Sequence, residues 1–119
     1  GWDWVSLHLD SGAKLMGFQL RQTDGSVYTA ASWITPQGDL TAFDDGALTL
    51  TALETAAVAG RAVPVRWRVQ LPARGLDVEI DALNDQSWMD TRFSYWEGPV
   101  SITGSHGGRG YLEMTGYEE

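Results

Sequence analysis

Val65-Arg66-Trp67-Arg68-Val69-Gln70-Leu71, the turn Pro72-Ala73-Arg74-Gly75, and Leu76-Asp77-Val78-Glu79-Ile80-Asp81-Ala82 form the stretch that decides the fold. Apolar and polar residues alternate on both sides of the turn. Successive side chains of a strand point to opposite faces, so a period of two predicts two strands with one buried face each. Pro and Gly punctuate the connection. Val65, Trp67, Val69, Leu71, Leu76, Val78, Ile80 and Ala82 are expected inward. Arg66 and Arg68 then stand on the outer face beside Asp77, Glu79 and Asp81. Opposite charges on adjacent strands favour the pairing by about a few tenths of a kcal/mol each. This charged surface reads as a solvated sheet face.

The same period continues outward along the chain. Residues 2–9 alternate Asp3, Val5, Leu7 and Leu9 against Trp2, Trp4, Ser6 and His8, and Asp10-Ser11-Gly12 ends the run. Residues 15–21 alternate Met16, Phe18 and Leu20 against Leu15, Gly17, Gln19 and Arg21, before the hairpin signal Asp24-Gly25. Further strands are expected at 27–35, 40–43, 48–53, 93–104 and 110–115. Residues 56–63 are Ala-rich and read as a helical turn or a loop, 84–92 as polar and irregular, and 105–109 as a Gly-rich hairpin loop. Strands recurring every ~8–12 residues, with turn residues between them, indicate a sandwich or barrel. No βαβ unit, repeat or low-complexity tract interrupts them. The expectation is one all-β domain over residues 1–119, an antiparallel up-and-down β-barrel of about eight to nine short strands.

Composition removes several function classes. The chain carries 8 Lys+Arg against 16 Asp+Glu, a net charge of −8. Nucleic-acid binding needs the opposite sign, so no nucleic-acid partner is expected. No apolar run reaches the ~20 residues of a membrane span, and no signal peptide is visible. The chain has no cysteine, which removes disulfides and thiolate metal sites. His8 and His106 are the only histidines, and neither stands in a metal-ligand spacing. No metal and no cofactor are expected. Six Trp fit either a core built from large side chains or the wall of an apolar pocket.

Three segments carry a resemblance. They are Gly1-Trp2-Asp3-Trp4-Val5-Ser6-Leu7-His8-Leu9, Leu15-Met16-Gly17-Phe18-Gln19-Leu20-Arg21, and Tyr95-Trp96-Glu97-Gly98-Pro99-Val100 running into Gly110-Tyr111-Leu112-Glu113-Met114-Thr115-Gly116-Tyr117. Over nearly the whole chain this pattern resembles the C-terminal lipocalin-like domain of the AttH and carotenoid 1,2-hydratase (hydroxyneurosporene synthase) family. The resemblance implies an architecture of two lipocalin-like barrels side by side. Residues 1–119 would then be a fragment or C-terminal half of a longer chain. It also implies a bacterial periplasmic or secreted compartment. Carotenoid members of the family add water across a terminal double bond of an acyclic carotene.

Two arrangements of the polar residues stay open at the level of sequence. In one, Val5, Leu7, Leu9, Met16, Phe18 and Leu20 face an outer packed layer, and the lumen receives Trp4, Ser6, His8, Gln19 and Arg21. In the other, the apolar set fills the lumen and the polar set faces solvent, as in most small barrels. The last two strands add Tyr95, Glu97, Tyr111 and Glu113. Glu97 and Glu113 are the candidate catalytic carboxylates, because a carboxylic acid held among apolar groups has a raised pKa and can donate a proton. Trp4, His8, Gln19, Arg21, Tyr95, Trp96 and Tyr111 are the candidate ligand-binding residues, with Trp4 and Trp96 able to stabilise a cation through their ring faces. The leading reading is a lipocalin-like domain that binds a hydrophobic small molecule such as an isoprenoid, polyene or fatty acid. The alternatives are a hydratase, isomerase or cyclase domain using lumen carboxylates, and a structural half that packs against a sister barrel or a second copy.

Overall fold

The computed structural model describes residues 1–89 and 94–117. They form β1 (Trp2–Leu9), β2 (Lys14–Arg21), β3 (Val27–Ile34), β4 (Leu40–Phe43), β5 (Thr49–Val58), β6 (Arg61–Leu71), β7 (Leu76–Ala82), β8 (Trp88–Met89), β9 (Tyr95–Gly104) and β10 (Gly108–Thr115). A single 3-10 turn, Pro72–Arg74, joins β6 to β7. The strands pair antiparallel in the order β4-β3-β2-β1-β10-β9-β7-β6-β5. Sequence neighbours lie side by side, and the first strand closes onto the last, from Asp3 opposite Met114 to Leu9 opposite Gly108. Among the described residues β4 and β5 do not pair with each other. The sheet therefore curls into a half-barrel with a seam between them, consistent with a lipocalin-like barrel.

The deciding hairpin folds as its alternation predicts. Val65, Trp67, Val69, Leu71, Leu76, Val78 and Ile80 are buried, and Ala82 packs half-buried against the same core. Outside, Arg66 pairs with Glu54, Glu79 and Asp81, and Arg68 meets Asp77 at 2.7 Å. These side chains are exposed, so solvent screens each pair and it adds little to stability. The core continues through Val5, Leu7, Leu15, Trp96, Val100, Leu112 and Met114 on the concave face.

Three segments depart from the sequence expectation. First, 56–63 is neither helical nor loop: β5 runs to Val58, and Ala59 (φ 50) and Gly60 (φ 82) make a two-residue turn into β6. Positive φ at both turn positions matches the twist of a tight hairpin. Alanine rarely takes that conformation, so the residues there do not announce the turn. Second, the polar stretch 84–92 contains β8. Trp88 and Met89 pair with Trp96 and Tyr95 along the edge of β9 that β7 occupies further on. Phe93, expected to open the following strand, lies outside the described residues.

Third, β1 and β2 together follow neither grouping proposed from the sequence: β2 faces as in the first and β1 as in the second. Trp4 stands opposite Phe18 and Ser6 opposite Met16. Directly opposed residues of an antiparallel pair share a face. Met16, Phe18 and Leu20 therefore join Trp2 and Trp4 on the convex surface, while Leu15, Gly17 and Gln19 join Val5 and Leu7 inside. At that point the interior is closely packed: a Cβ on Gly17 would lie 2.6 Å from Leu48 Cδ2.

The closure between β1 and β10 is equally tight. Gly110 stands opposite Leu7, and a Cβ there would lie 2.5 Å from the Ser6 carbonyl oxygen. Gly110→Ala is expected to cost about 2 kcal/mol, measured as a lowered urea midpoint at unchanged denaturant slope.

Candidate functional site

Among the described residues one acid is fully buried. Asp3 is fully buried on β1, in line with Val5, Leu7 and Leu9. Its carboxylate accepts hydrogen bonds from Gln19 Nε2 and Arg21 Nε, both at 3.0 Å, and from the Tyr117 hydroxyl at 2.9 Å. The Arg21 guanidinium also donates to the Thr115 carbonyl and lies 4.2 Å from the centre of the Tyr117 ring. The charge is thus paired and its oxygens are satisfied, which a buried carboxylate requires. The Tyr117 hydroxyl is pushed far above the ordinary tyrosine range, first by burial and then by the charge of Asp3, with Arg21 opposing.

This cluster forms one corner of a cup between the β2–β3 hairpin and the β5–β6 pair. The cup has a volume of about 820 Å³, and its wall includes Gln19, Arg21, Thr29, Leu48, Leu50, Ala52, Trp67 and Tyr117. Asp45 stabilises the rim by accepting from the Thr29 backbone N–H at 2.8 Å, and the Gly46 N–H donates to Thr29 Oγ1 at 3.0 Å. Trp67 is 3% exposed, and its buried indole N–H has no hydrogen-bond acceptor in this structure. A buried, unmet donor costs roughly 1–3 kcal/mol, so its persistence in the wall of a cavity marks a place where an acceptor would be stabilising.

The convex face gathers most of the other candidates. The register sets Glu113 opposite both Trp4 and Glu97, with Tyr95 opposite Thr115 and Tyr111 opposite Pro99. A depression of about 350 Å³ is lined by Trp2, Trp4, Phe18 and Glu113. The Tyr95 hydroxyl is held above its ordinary range by its hydrogen bond to Glu97, and that of Tyr111 by partial burial and then by the Glu97 charge.

The sequence-predicted residues therefore divide between two surfaces. Glu97, Glu113, Trp4, Tyr95 and Tyr111 meet on the convex side. Gln19 and Arg21 meet inside, engaged with Asp3. The convergence of Glu97, Glu113 and Arg21 on one cavity, which a lumen enzyme would need, does not occur: the carboxylates and the guanidinium belong to opposite faces of the sheet. Trp96 is fully buried, and its indole N–H donates to the Asp85 carbonyl at 2.8 Å, so it is a core residue. His8 is exposed between Lys14 and Arg109, beside a shallow hollow with Ser6 and Tyr111. His106 meets the edge of Trp33 at a centroid distance of 6.3 Å. Among the described residues no group of three or more His, Asp or Glu gathers as a metal site, and no helix is long and apolar enough to cross a membrane. Sequence reasoning missed Asp3, Thr29, Trp67 and Tyr117. The visible signal for Asp3 was an acid standing in an apolar stripe.

The Asp3 cluster makes two measurable predictions. Asp3→Ala strands the Arg21 charge and is expected to cost about 3 kcal/mol, and Tyr117→Phe about 1 kcal/mol, both by urea unfolding. The raised Tyr117 pKa means that the folded state holds this proton more tightly than the unfolded state. That contribution is complete below the unfolded value of about 10 and is lost as pH rises towards the folded value. Unfolding free energy should therefore fall above about pH 10, and fall less steeply in Tyr117→Phe.

Comparison with known proteins places the chain in a family. A family model described as AttH-like matches residues 1–117. Among solved structures, the chain is similar to a protein from Nitrosomonas europaea assigned as an AttH, with a TM-score of 0.87 and 35% sequence identity. The match covers 98% of this chain and 39% of that one. No curated protein matches. With the family pattern running through all but the last two residues, the chain belongs to the AttH-like family.

Proposed function

We propose that this domain binds a small, largely apolar molecule in the cup between the β2–β3 hairpin and the β5–β6 pair. One observation carries the reading: a cavity of about 820 Å³ that runs from the Asp3 corner to Trp67, whose indole N–H is unmet. Its wall mixes apolar Leu48, Leu50, Ala52 and Trp67 with polar Gln19, Arg21, Thr29 and Tyr117, and with exposed polar residues such as Gln22, Asp45 and Thr51. Ligand sites combine apolar walls with placed polar groups that fix orientation. An elongated isoprenoid, polyene or fatty acid suits that lining.

Binding is favoured over catalysis within this domain. Alkene hydration needs a proton donor beside the double bond. Glu97 and Glu113 lie on the convex face, across the sheet from the cup. Carotenoid hydration in a longer AttH-like protein would need groups that a further domain brings to the ligand.

The test is a titration with farnesol and with palmitic acid, followed by tryptophan fluorescence. Saturable quenching in the micromolar range is expected, because Trp67 lines the cup. Ala52→Trp should fill the cup and abolish the quenching while leaving the melting temperature within a few degrees. A flat response of the unmodified domain to both ligands would overturn the reading.

A further inference from the structure

The convex face carries an unsolved electrostatic problem. Glu97 and Glu113 stand directly opposite each other on β9 and β10. Like charges in this position oppose the pairing of the strands. The Tyr95 hydroxyl relieves Glu97 in part. Among the described residues, no Lys or Arg forms an ion pair with either carboxylate. Around this pair the surface is aromatic instead of cationic. Trp2 is 46% exposed and Tyr111 is 38% exposed. Trp2, Trp4 and Phe18 complete the depression whose remaining wall is Glu113. A second hollow of about 540 Å³ adjoins it and shares Trp2 and Glu113, with Tyr95 on its far side.

We propose that this surface is a binding site for a small organic cation carrying a substituted ammonium group. Three features point to that chemistry together. Ring faces attract a cation, and they do so most strongly when its alkyl substituents shed water. Two facing carboxylates supply the opposite charge and lose their mutual repulsion when a cation sits between them. A calcium or magnesium ion suits the place poorly, because it asks for six or more oxygen ligands and most of this wall is aromatic carbon. A neutral apolar ligand would leave the carboxylate repulsion in place. The site is independent of the cup, which lies across the sheet.

The experiment compares choline with its neutral isostere 3,3-dimethylbutan-1-ol, by calorimetry at low, matched ionic strength. Choline should bind about tenfold more tightly than the alcohol. Glu113→Gln, which removes charge at almost unchanged shape, and Trp4→Ala should each remove most of that preference. Ala52→Trp, which blocks the cup, should leave it intact. Equal binding of the two compounds would overturn the proposal and leave an ordinary apolar patch. So would a choline response abolished by Ala52→Trp and untouched by Glu113→Gln, because the cation would then occupy the cup. Concentration-dependent self-association that choline fails to displace would also overturn it, with a second copy as the true occupant.

Discussion

Where the first strand meets the last, a buried Asp3 carboxylate is held by Gln19, Arg21 and Tyr117. Gln19 and Arg21 come from β2, and Tyr117 follows β10, so this one charge ties together the three strands at the closure. An isolated carboxylate in this place would be prohibitively costly to bury. Its partners make it tolerable only in a single register. A shift of β1 by one residue would turn Asp3 outward and send Trp2 and Trp4 into the core. The polar corner therefore selects the alignment, while the apolar stripe of Val5, Leu7 and Leu9 supplies most of the stabilisation.

That register also sorts the chemistry. Because residues opposite one another share a face, fixing Trp4 against Phe18 and Glu113 fixes the composition of the convex surface. The same alignment leaves Gln19 and Arg21 inside, at the corner of the cup. Two surfaces of different character result from one sheet: a concave cup with apolar walls and a convex face where aromatics surround paired acids. Because β5 pairs only with β6, the cup between it and the β2–β3 hairpin stays open.

How much of this was legible varied with the kind of signal. The hairpin of Val65 to Ala82 could be read directly, because strict alternation and a Pro/Gly turn act within a few residues. The β5–β6 hairpin end at Ala59-Gly60 could not, because its turn uses a residue that resists the required conformation and its flanks are rich in Ala, which favours no strand strongly. The faces of β1 and β2 stayed open, since Met16, Phe18 and Leu20 are the more apolar set of β2, yet lie outside. Hydrophobicity assigns a face only where that face is covered by this same domain. The pairing of Glu97 with Glu113 was equally hidden: it depends on register across a loop, which no local pattern specifies. Asp3, by contrast, was visible as an anomaly whose meaning needed Arg21 and Tyr117 brought to it from 18 and 114 positions away.

The closeness of the two ends of the described chain has a further consequence, in folding rate. A Cβ built on Gly116 would lie 2.9 Å from the Gly1 Cα. The β1–β10 ladder is thus the most sequence-distant pairing in the sheet, and its formation must wait for a chain-length loop to close. Joining the ends and reopening the chain between β4 and β5 would convert the sheet into a meander in which successive strands pair, the short β8 aside. The contacts would be the same, but their mean sequence separation would fall, and such a permuted chain should reach its folded state faster at little change in equilibrium stability.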